Sequence, residues 1–333
     1  MSIHKDSKVA MIGSGSWATA LAKIILCNTD TISWYFRRPE TIEDFQKYGH
    51  NPRYMRGVEF ELDRIKFYND INRVIEDNDI IFIAIPSAFL NAMLENVTVS
   101  LANKYIVSAV KGIVPETNEV ICQYLHNKFG VTFERMSVVA GPCHAEEVAL
   151  ERLSYLTIAG PDIPRARYVA DLLQCSFIRV NVCDDIWGAE YASVLKNIIA
   201  IASGIMNGLR YGDNFQAVLV SNAAQEIQRF IDKVRPMERD MVSSVYLGDL
   251  LVTAYSQFSR NRTFGTMIGK GYTIRTAQLE MHMVAEGYYA SKCLHEINED
   301  LKVNLPICSM VYNVLYGGAS AAKEAIELTK KLR

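Results

Sequence analysis

Short apolar runs alternate with helical patterns in the first half of the chain. The runs cover residues 8–12, 31–36, 80–86, 104–110, 136–140, 155–159 and 177–182. Continuous apolar runs of this length indicate strands buried on both faces. Strands that alternate with helical patterns, such as the one over residues 17–25, favour a parallel sheet with helices on both faces. We therefore predict a doubly wound α/β domain over residues 1–183.

The pattern changes after about residue 184. From there on, apolar residues recur at helical spacing, and strand-like runs largely disappear. The helical patterns cover residues 187–207, 215–234, 241–258 and 281–297. We therefore predict a second, all-helical domain over residues 184–333.

The composition is that of an ordinary globular protein. Of the 333 residues, 50% are hydrophobic and 22% are charged, which excludes general disorder. The net charge is −2, so no global basic excess attracts nucleic acid. No apolar stretch approaches the roughly 20 residues that span a bilayer, so we expect no membrane span.

Neither the cysteines nor the histidines predict a disulfide framework or a metal site. The seven cysteines are odd in number, widely spaced and without a C-x-x-C pair, which favours reduced thiols in a cytoplasmic protein. The six histidines lack the spacing of metal ligands, so we expect no metal.

A glycine-rich segment directly follows the first predicted strand. Residues 13–18 read Gly-Ser-Gly-Ser-Trp-Ala and fit the pattern G-x-G-x-x-G/A. Gly13 would make the tight turn, Gly15 would let the backbone approach a pyrophosphate, and Ala18 would allow the helix to pack closely on the strand. The pyrophosphate would then meet the N–H groups that begin the helix. The segment therefore predicts a Rossmann-type domain that binds NAD or NADP.

Two arginines follow the second predicted strand. NAD-selective sites usually carry Asp or Glu there, in contact with the ribose 2′-hydroxyl. This chain carries Arg37 and Arg38, and guanidinium groups suit a 2′-phosphate. A solvated pair of charges is the alternative interpretation. We therefore favour NADPH as coenzyme and leave NADH open.

Several polar residues occupy apolar surroundings or strand ends. Lys111 follows the strand predicted at residues 104–110, and ligands of doubly wound sheets bind beyond such ends. Lys196 and Asn197 interrupt a strongly apolar helix, where desolvation would lower the pKa of a lysine and suit it to proton exchange. Asp249 lies in another apolar run and needs a partner, such as a lysine. Taken singly, Lys111 is also explained as a surface lysine at a strand end, and Lys196 as a snorkelling lysine at a domain interface.

Two turns add further polar groups. Residues 141–147 read Gly-Pro-Cys-His-Ala-Glu-Glu after a predicted strand, and their backbone N–H groups would face the ligand crevice. We do not interpret Cys143 as a nucleophile, because the adjacent His144 rarely points the right way. Residues 259–265 read Ser-Arg-Asn-Arg-Thr-Phe-Gly, and arginine favours bidentate contact with phosphate. A simple helix cap is the alternative for this second turn.

Together, these segments resemble the NAD(P)-dependent glycerol-3-phosphate dehydrogenase family of bacterial type. The order and rough spacing match over nearly the whole chain. The matching segments are residues 13–22, 111–112, 141–147, 195–214, 248–253, 259–265 and 284–287. Five or more ordered motifs are far more specific than a glycine fingerprint alone.

The resemblance implies roles for individual residues. The catalytic residues would be Lys196, as proton donor and acceptor, with Lys111 and Asp249. The substrate-binding residues would be Lys111, Gly141, Cys143, Lys196, Asn197, Asp249, Thr253, Ser259, Arg260 and Asn261. The cofactor-binding residues would be Gly13, Ser14, Gly15, Ser16, Trp17, Arg37, Arg38, Lys111, Ala145, Arg260, Val284 and Glu286.

The chain departs from the family pattern at a few positions. Ala18 replaces the last glycine of the fingerprint, Cys143 replaces a serine, and His144 stands where an aromatic residue is common. Residues 243–247 read Ser-Ser-Val-Tyr-Leu instead of a glycine-rich Ala-Gly-Leu segment, which leaves the geometry before Gly248 open.

The implied activity is reduction of dihydroxyacetone phosphate to sn-glycerol 3-phosphate with NAD(P)H, which supplies phospholipid synthesis. Another two-domain hydroxyacid dehydrogenase is one alternative, and a non-catalytic nucleotide-sensing module is a second. The presence of both Lys196 and Asp249 disfavours the sensing module. The oligomeric state is open, with a homodimer as the first candidate.

Overall fold

The computed structural model describes residues 6–281 and 285–333. The strands are β1 (Val9–Ile12), β2 (Ile32–Tyr35), β3 (Ile65–Tyr68), β4 (Ile80–Ile83), β5 (Tyr105–Ser108), β6 (Ile113–Val114), β7 (Glu119–Val120), β8 (Met136–Ala140), β9 (Ser154–Ala159) and β10 (Ile178–Cys183). The first helices are α1 (Ser16–Ile25), α2 (Pro39–Tyr48), α3 (Ile71–Glu76), α4 (Ser87–Leu94), α5 (Ile121–Phe129), α6 (Ala145–Ala149) and α7 (Ile163–Leu173). The later helices are α8 (Ile186–Gly208), α9 (Asp213–Val234), α10 (Asp249–Tyr255), α11 (Arg260–Gly269), α12 (Ile274–Glu280), α13 (Glu286–Leu301), α14 (Pro306–Leu315) and α15 (Ala321–Thr329).

The chain forms two compact units. The sheet unit comprises Met1–Val110 and Ile121–Ile186, and the helical unit comprises Lys111–Val120 and Trp187–Arg333. The short segment Lys111–Val120 therefore leaves the sheet unit and contributes the two-stranded β6–β7 sheet to the helical unit. A single cut of the chain at residue 183 does not reproduce this division.

The sheet unit contains eight strands in the order β10-β9-β8-β5-β4-β1-β2-β3. The strands β1, β2, β4, β5 and β8 consist entirely of buried residues, which explains why the sequence shows them as continuous apolar runs. The strand order reverses between β1 and β4, and ligands of doubly wound sheets bind at such a switch point. The predicted Rossmann-type α/β fold is confirmed.

Two strands run against the expected direction, because β10 is parallel to β9 and both are antiparallel to the other six strands. The β9 strand pairs antiparallel with β8, whereas all other neighbouring pairs of the sheet are parallel. The connection between β8 and β9 carries only the five-residue helix α6, about 7–8 Å long. That helix is too short to return the chain past a strand of about 17–20 Å, so β9 starts at the edge where β8 ends.

Apart from the β6–β7 sheet, the second unit is built from helices. Within the described part of residues 187–333 no strand occurs, as the apolar spacing predicts. The single helix predicted over residues 241–258 is wrong, because a π-helical turn at Ser244–Gly248 precedes the shorter helix α10. Residues 243–247, which depart from the family pattern, therefore lead into and form most of this π-helical turn. No helix among the described residues is long and apolar enough to cross a membrane.

A buried carboxylate ties two helices of this unit together. Glu226 of α9 is fully buried and accepts hydrogen bonds from the N–H groups of Ile307 (2.6 Å) and Cys308 (3.3 Å). Both N–H groups lie in the first turn of α14, where backbone N–H groups have no hydrogen-bond partner within the helix. Burial raises the pKa of Glu226 to about 7, although both N–H groups lower it.

Candidate active site

The glycine turn of the sheet unit lies where β1 passes into α1. Gly13 has a φ of +127°, and a Cβ there would overlap the carbonyl of Ala84, which follows β4. At Gly15 a Cβ would meet no atom within 4 Å, so the packing of the chain itself does not require glycine. Gly15 precedes the first residue of α1 and provides no side-chain cap for the helix. This geometry fits a pyrophosphate held at the helix N-terminus.

Two side chains hold the glycine turn in place. The indole N–H of Trp34 on β2 donates to the carbonyl of Gly13 at 2.7 Å. The amide Nδ2 of Asn51 is fully buried and donates to the carbonyl of Ser14 (3.0 Å) and to Oγ1 of Thr19 on α1 (2.8 Å). Sequence reasoning missed Asn51, because nothing in a lone asparagine before a proline indicates the loop that it contacts.

Arg37 and Arg38 lie exposed directly after β2. The carboxylate of Asp70, which follows the neighbouring strand β3, accepts hydrogen bonds from the N–H groups of Asn72 (2.9 Å) and Arg73 (3.2 Å) and so caps α3. Two exposed cationic residues therefore follow β2, while the Asp70 carboxylate has its own structural role.

The segment 141–147 also belongs to the sheet unit. Gly141 has a φ of +109°, and its Cβ position lies 3.0 Å from the carbonyl oxygen of Tyr155, so a side chain would be strained there. Cys143 is buried, and Ala145 begins α6. The sheet unit thus carries the glycine turn, the two arginines and this turn.

Two lysines and an aspartate meet in the helical unit. Lys196 on α8 forms an ion pair with Asp249, the first residue of α10. The ammonium of Lys111 lies 3.8 Å from the same carboxylate. The side chains of Lys196 and Asp249 are only 5% and 2% exposed, so the charges interact in surroundings with little water.

Burial sets the protonation of Lys196. Desolvation lowers its pKa, the Asp249 carboxylate raises it, and Lys111 lowers it again, with a net pKa of about 7. A lysine in this state can both hold and release a proton near neutral pH. The arrangement is therefore suited to general acid–base chemistry.

A chain of amide hydrogen bonds runs beside this cluster. The Nδ2 of Asn197 donates to the carbonyl of Lys111 (2.8 Å), and its Oδ1 accepts from Nδ2 of Asn261 (2.9 Å). The Oδ1 of Asn261 accepts from the N–H of Gly287 (2.9 Å), one residue after Glu286 at the start of α13. Both asparagine side chains therefore link elements of the helical unit and fix the backbone of Lys111.

Other predicted site residues surround the start of α11. The Oγ of Ser259 accepts from the N–H of Arg262 (3.3 Å), so Ser259 caps α11, which Arg260 begins. The hydroxyl of Thr253 donates to the carbonyl of Asp249 (2.6 Å) one helical turn away. Val284 lies outside the described residues.

Comparisons with known proteins identify the family of the chain. The model of the NAD-dependent glycerol-3-phosphate dehydrogenase N-terminus matches residues 8–166, and the model of the C-terminus of the same enzymes matches residues 185–327. The chain belongs to the NAD-dependent glycerol-3-phosphate dehydrogenase family. Within this family, the glycerol-3-phosphate dehydrogenase [NAD(P)+] of Clostridium botulinum is 35% identical over 93% of each chain. That of Syntrophomonas wolfei is 33% identical over 97% of this chain and 95% of its own.

Solved structures show the same architecture. The crystal structure of glycerol-3-phosphate dehydrogenase from Coxiella burnetii has a TM-score of 0.89 and 26% identity, covering 98% of this chain and 99% of its own. D-mandelate dehydrogenase shares the fold at a TM-score of 0.60 and 15% identity. Among the described residues of this dehydrogenase family member, no cluster of three His, Cys, Asp or Glu residues could hold a metal ion.

Proposed function

We propose that the chain reduces dihydroxyacetone phosphate to sn-glycerol 3-phosphate with NAD(P)H as the electron donor. The observation that carries the proposal is the buried ion pair of Lys196 with Asp249, next to Lys111. Family membership supports this substrate, since the relatives carry the name glycerol-3-phosphate dehydrogenase [NAD(P)+]. The product would supply phospholipid synthesis.

The cofactor would be held by the glycine turn and by the N–H groups at the start of α1, and it would supply the hydride for C2 of the substrate when bound. Lys196 would give its ammonium proton to the carbonyl oxygen as negative charge develops there. Asp249 would keep Lys196 oriented and favour its protonated form. Lys111 would add positive charge that polarises the carbonyl.

The start of α11 would bind the substrate phosphate. Arg260 brings a guanidinium to the positive end of a ten-residue helix. Both polar atoms of the Asn261 side chain already contact Asn197 and Gly287. We therefore assign the phosphate contact of Asn261 to its backbone N–H, with its side chain as a positioning group. We also propose Gly141 and Cys143 as substrate-binding residues, as the family resemblance implies.

A substrate panel tests the proposed reaction. The consumption of NAD(P)H would be followed with dihydroxyacetone phosphate and, in parallel, with a series of 2-ketoacids and 3-ketoacids. We expect kcat/KM to be highest for dihydroxyacetone phosphate by orders of magnitude. Faster turnover of a ketoacid would instead assign the chain to the hydroxyacid dehydrogenases.

We further propose that NADPH is preferred over NADH. Arg37 and Arg38 support this, because no acidic side chain replaces them after β2 and Asp70 caps α3. A charge-assisted contact to the 2′-phosphate is worth about 1.5–3 kcal/mol, or roughly 10–150-fold in affinity at low salt. Replacing both arginines with alanine should raise the KM for NADPH by that factor and leave the KM for NADH nearly unchanged.

The exposed Arg235 offers a matched control for this experiment. Arg235→Ala removes one exposed guanidinium after α9 in the helical unit and should leave both KM values unchanged. Equal losses for NADPH and NADH in the Arg37/Arg38 variant would mean that these arginines support the loop and do not distinguish the coenzymes. The cytoplasmic location and the homodimer stay predictions.

A further inference from the structure

Two cysteines of the sheet unit lie side by side, outside the proposed active site. Cys27 belongs to the turn after α1, and Cys175 lies between α7 and β10. The thiol of Cys175 is close enough to influence the Cys27 thiol electrostatically, and the Sγ of Cys27 donates to the carbonyl of Lys23 at 3.5 Å. Cys27 is exposed and Cys175 is partly exposed. Reagents in solution can therefore reach at least one sulfur of the pair.

Hydrogen bonds hold the backbones of the two segments together. The Nδ2 of Asn28 donates to the carbonyls of Leu172 (3.1 Å) and Gln174 (2.8 Å), on either side of the end of α7. The carbonyl of Cys175 accepts from Nη1 of Arg179 at 2.8 Å. The residues next to each cysteine are thus fixed, so the fold itself brings the two cysteine-bearing segments together. Such proximity is the main geometric requirement for a disulfide.

We propose that Cys27 and Cys175 form a redox-active dithiol that low-molecular-weight disulfides oxidise to an intramolecular disulfide. The Cys27 thiolate attacks one sulfur of the oxidant, forms a mixed disulfide and releases one thiolate. The Cys175 thiolate then attacks the sulfur of Cys27, forms the Cys27–Cys175 bond and releases the second thiolate. The protein loses two electrons and two protons, and the oxidant is reduced to two thiols.

The surroundings of Cys27 determine how fast this exchange runs. Burial and the Cys175 thiol raise the pKa of Cys27, the Lys23 ammonium lowers it, and Glu151 raises it. Glu151 also forms an ion pair with Lys23 at 2.8 Å, which weakens the effect of the ammonium. Since the thiolate is the attacking species, we expect the exchange to be slow at neutral pH and faster in alkaline solution.

Tryptic mapping of the whole protein tests the proposal. Trypsin places Cys27 in the peptide of residues 24–37 and Cys175 in that of residues 168–179, each with a single cysteine. After exposure of the reduced protein to glutathione disulfide, we expect these two peptides to be linked to each other. In Cys175→Ser, a glutathione adduct should accumulate at Cys27, because the second step is blocked. Cys183→Ser, a control on β10, should behave like the wild type.

A second measurement does not depend on peptide recovery. The bond would close a long loop, so oxidation should raise the Tm by roughly 5 °C or more, and dithiothreitol should reverse the rise. Cys27→Ser should show neither the link nor the rise. The proposal is overturned if the two peptides stay unlinked, or if the wild type accumulates the glutathione adduct at Cys27 as Cys175→Ser does.

Discussion

The substitution Asp249→Asn asks whether the Asp249 carboxylate keeps Lys196 protonated. Asparagine has nearly the shape of aspartate, so the variant removes a charge and leaves the packing in place. Burial lowers the pKa of Lys196, and the Asp249 carboxylate is the main influence that raises it. Without that carboxylate, desolvation and Lys111 act unopposed. The pKa of Lys196 should therefore fall well below 7 in the variant.

The attraction between the charges of Lys196 and Asp249 sets the size of the expected fall in the pKa of Lys196. Opposite charges about 4 Å apart attract by about 4 kcal/mol at an effective dielectric constant of 20. Each interval of about 1.4 kcal/mol changes a protonation equilibrium tenfold. Allowing for water that enters the site, the protonated fraction of Lys196 at pH 7 should fall on the order of 10²–10³-fold. The kcat of dihydroxyacetone phosphate reduction should fall by the same factor, because only protonated Lys196 can donate.

The assay compares both directions of the reaction over a range of pH. In the wild type, kcat for reduction should fall as the pH rises through about 7, while kcat for glycerol 3-phosphate oxidation, which needs neutral Lys196, should rise. In Asp249→Asn the decline of the reductive rate should move to lower pH. The matched control is Asp232→Asn, which removes a carboxylate paired with Arg239 at 2.9 Å, away from this cluster. A wild-type kcat and pH profile in Asp249→Asn would refute the reasoning.

Three further predictions concern the helical unit. Lys196→Met should lower kcat about 10²–10⁴-fold with little change in the Kd of NADPH, and turnover within about threefold of the wild type would contradict its role. Arg260→Ala should raise the KM for dihydroxyacetone phosphate by roughly 10–150-fold and lower kcat as well, whereas an unchanged KM would move the phosphate site elsewhere. The pKa of Glu226 lies near 7 in the fold, above its ordinary value of 4.5, so its stability penalty grows as the pH rises from about 5 to 7. Relative to the wild type, Glu226→Gln should therefore gain on the order of 3 kcal/mol between pH 5 and pH 8 in denaturant titrations, and a pH-independent difference would exclude this titration.

The sequence predicts best those features that depend on local chemistry. The central strands appear as apolar runs because both faces of the sheet are covered, and Gly13 appears in the pattern because its positive φ and its contact with Ala84 exclude a side chain. Lys196 and Asp249 stand out because charged residues are rare in apolar helices. Their ion pair confirms that each needed a partner, although their catalytic roles stay predictions.

Features that depend on distant contacts could not be predicted. The strand β3 was missed because it lies at the edge of the sheet, where Lys66 is exposed and the run is broken. The antiparallel direction of β9 depends on the length of α6, which the apolar pattern does not reveal. The helix predicted over residues 241–258 failed because a π-helical turn keeps helical spacing of apolar residues but changes their hydrogen bonds.

The amide chain next to Lys196 depends on how closely three helices approach. A Cβ at Gly265 on α11 would overlap the carbonyl oxygen of Ile201 on α8, and one at Gly204 on α8 would overlap that of Arg262. Only glycine at these positions lets the two backbones come near enough for the short side chain of Asn261 to reach Asn197. Gly287 likewise lets α13 approach α8 closely, since its Cβ position lies 2.5 Å from the carbonyl oxygen of Asn197. These glycines therefore set the spacing between α8, α11 and α13. That spacing decides whether the side chains of Asn261 and Asn197 can form the hydrogen bonds that position Lys111.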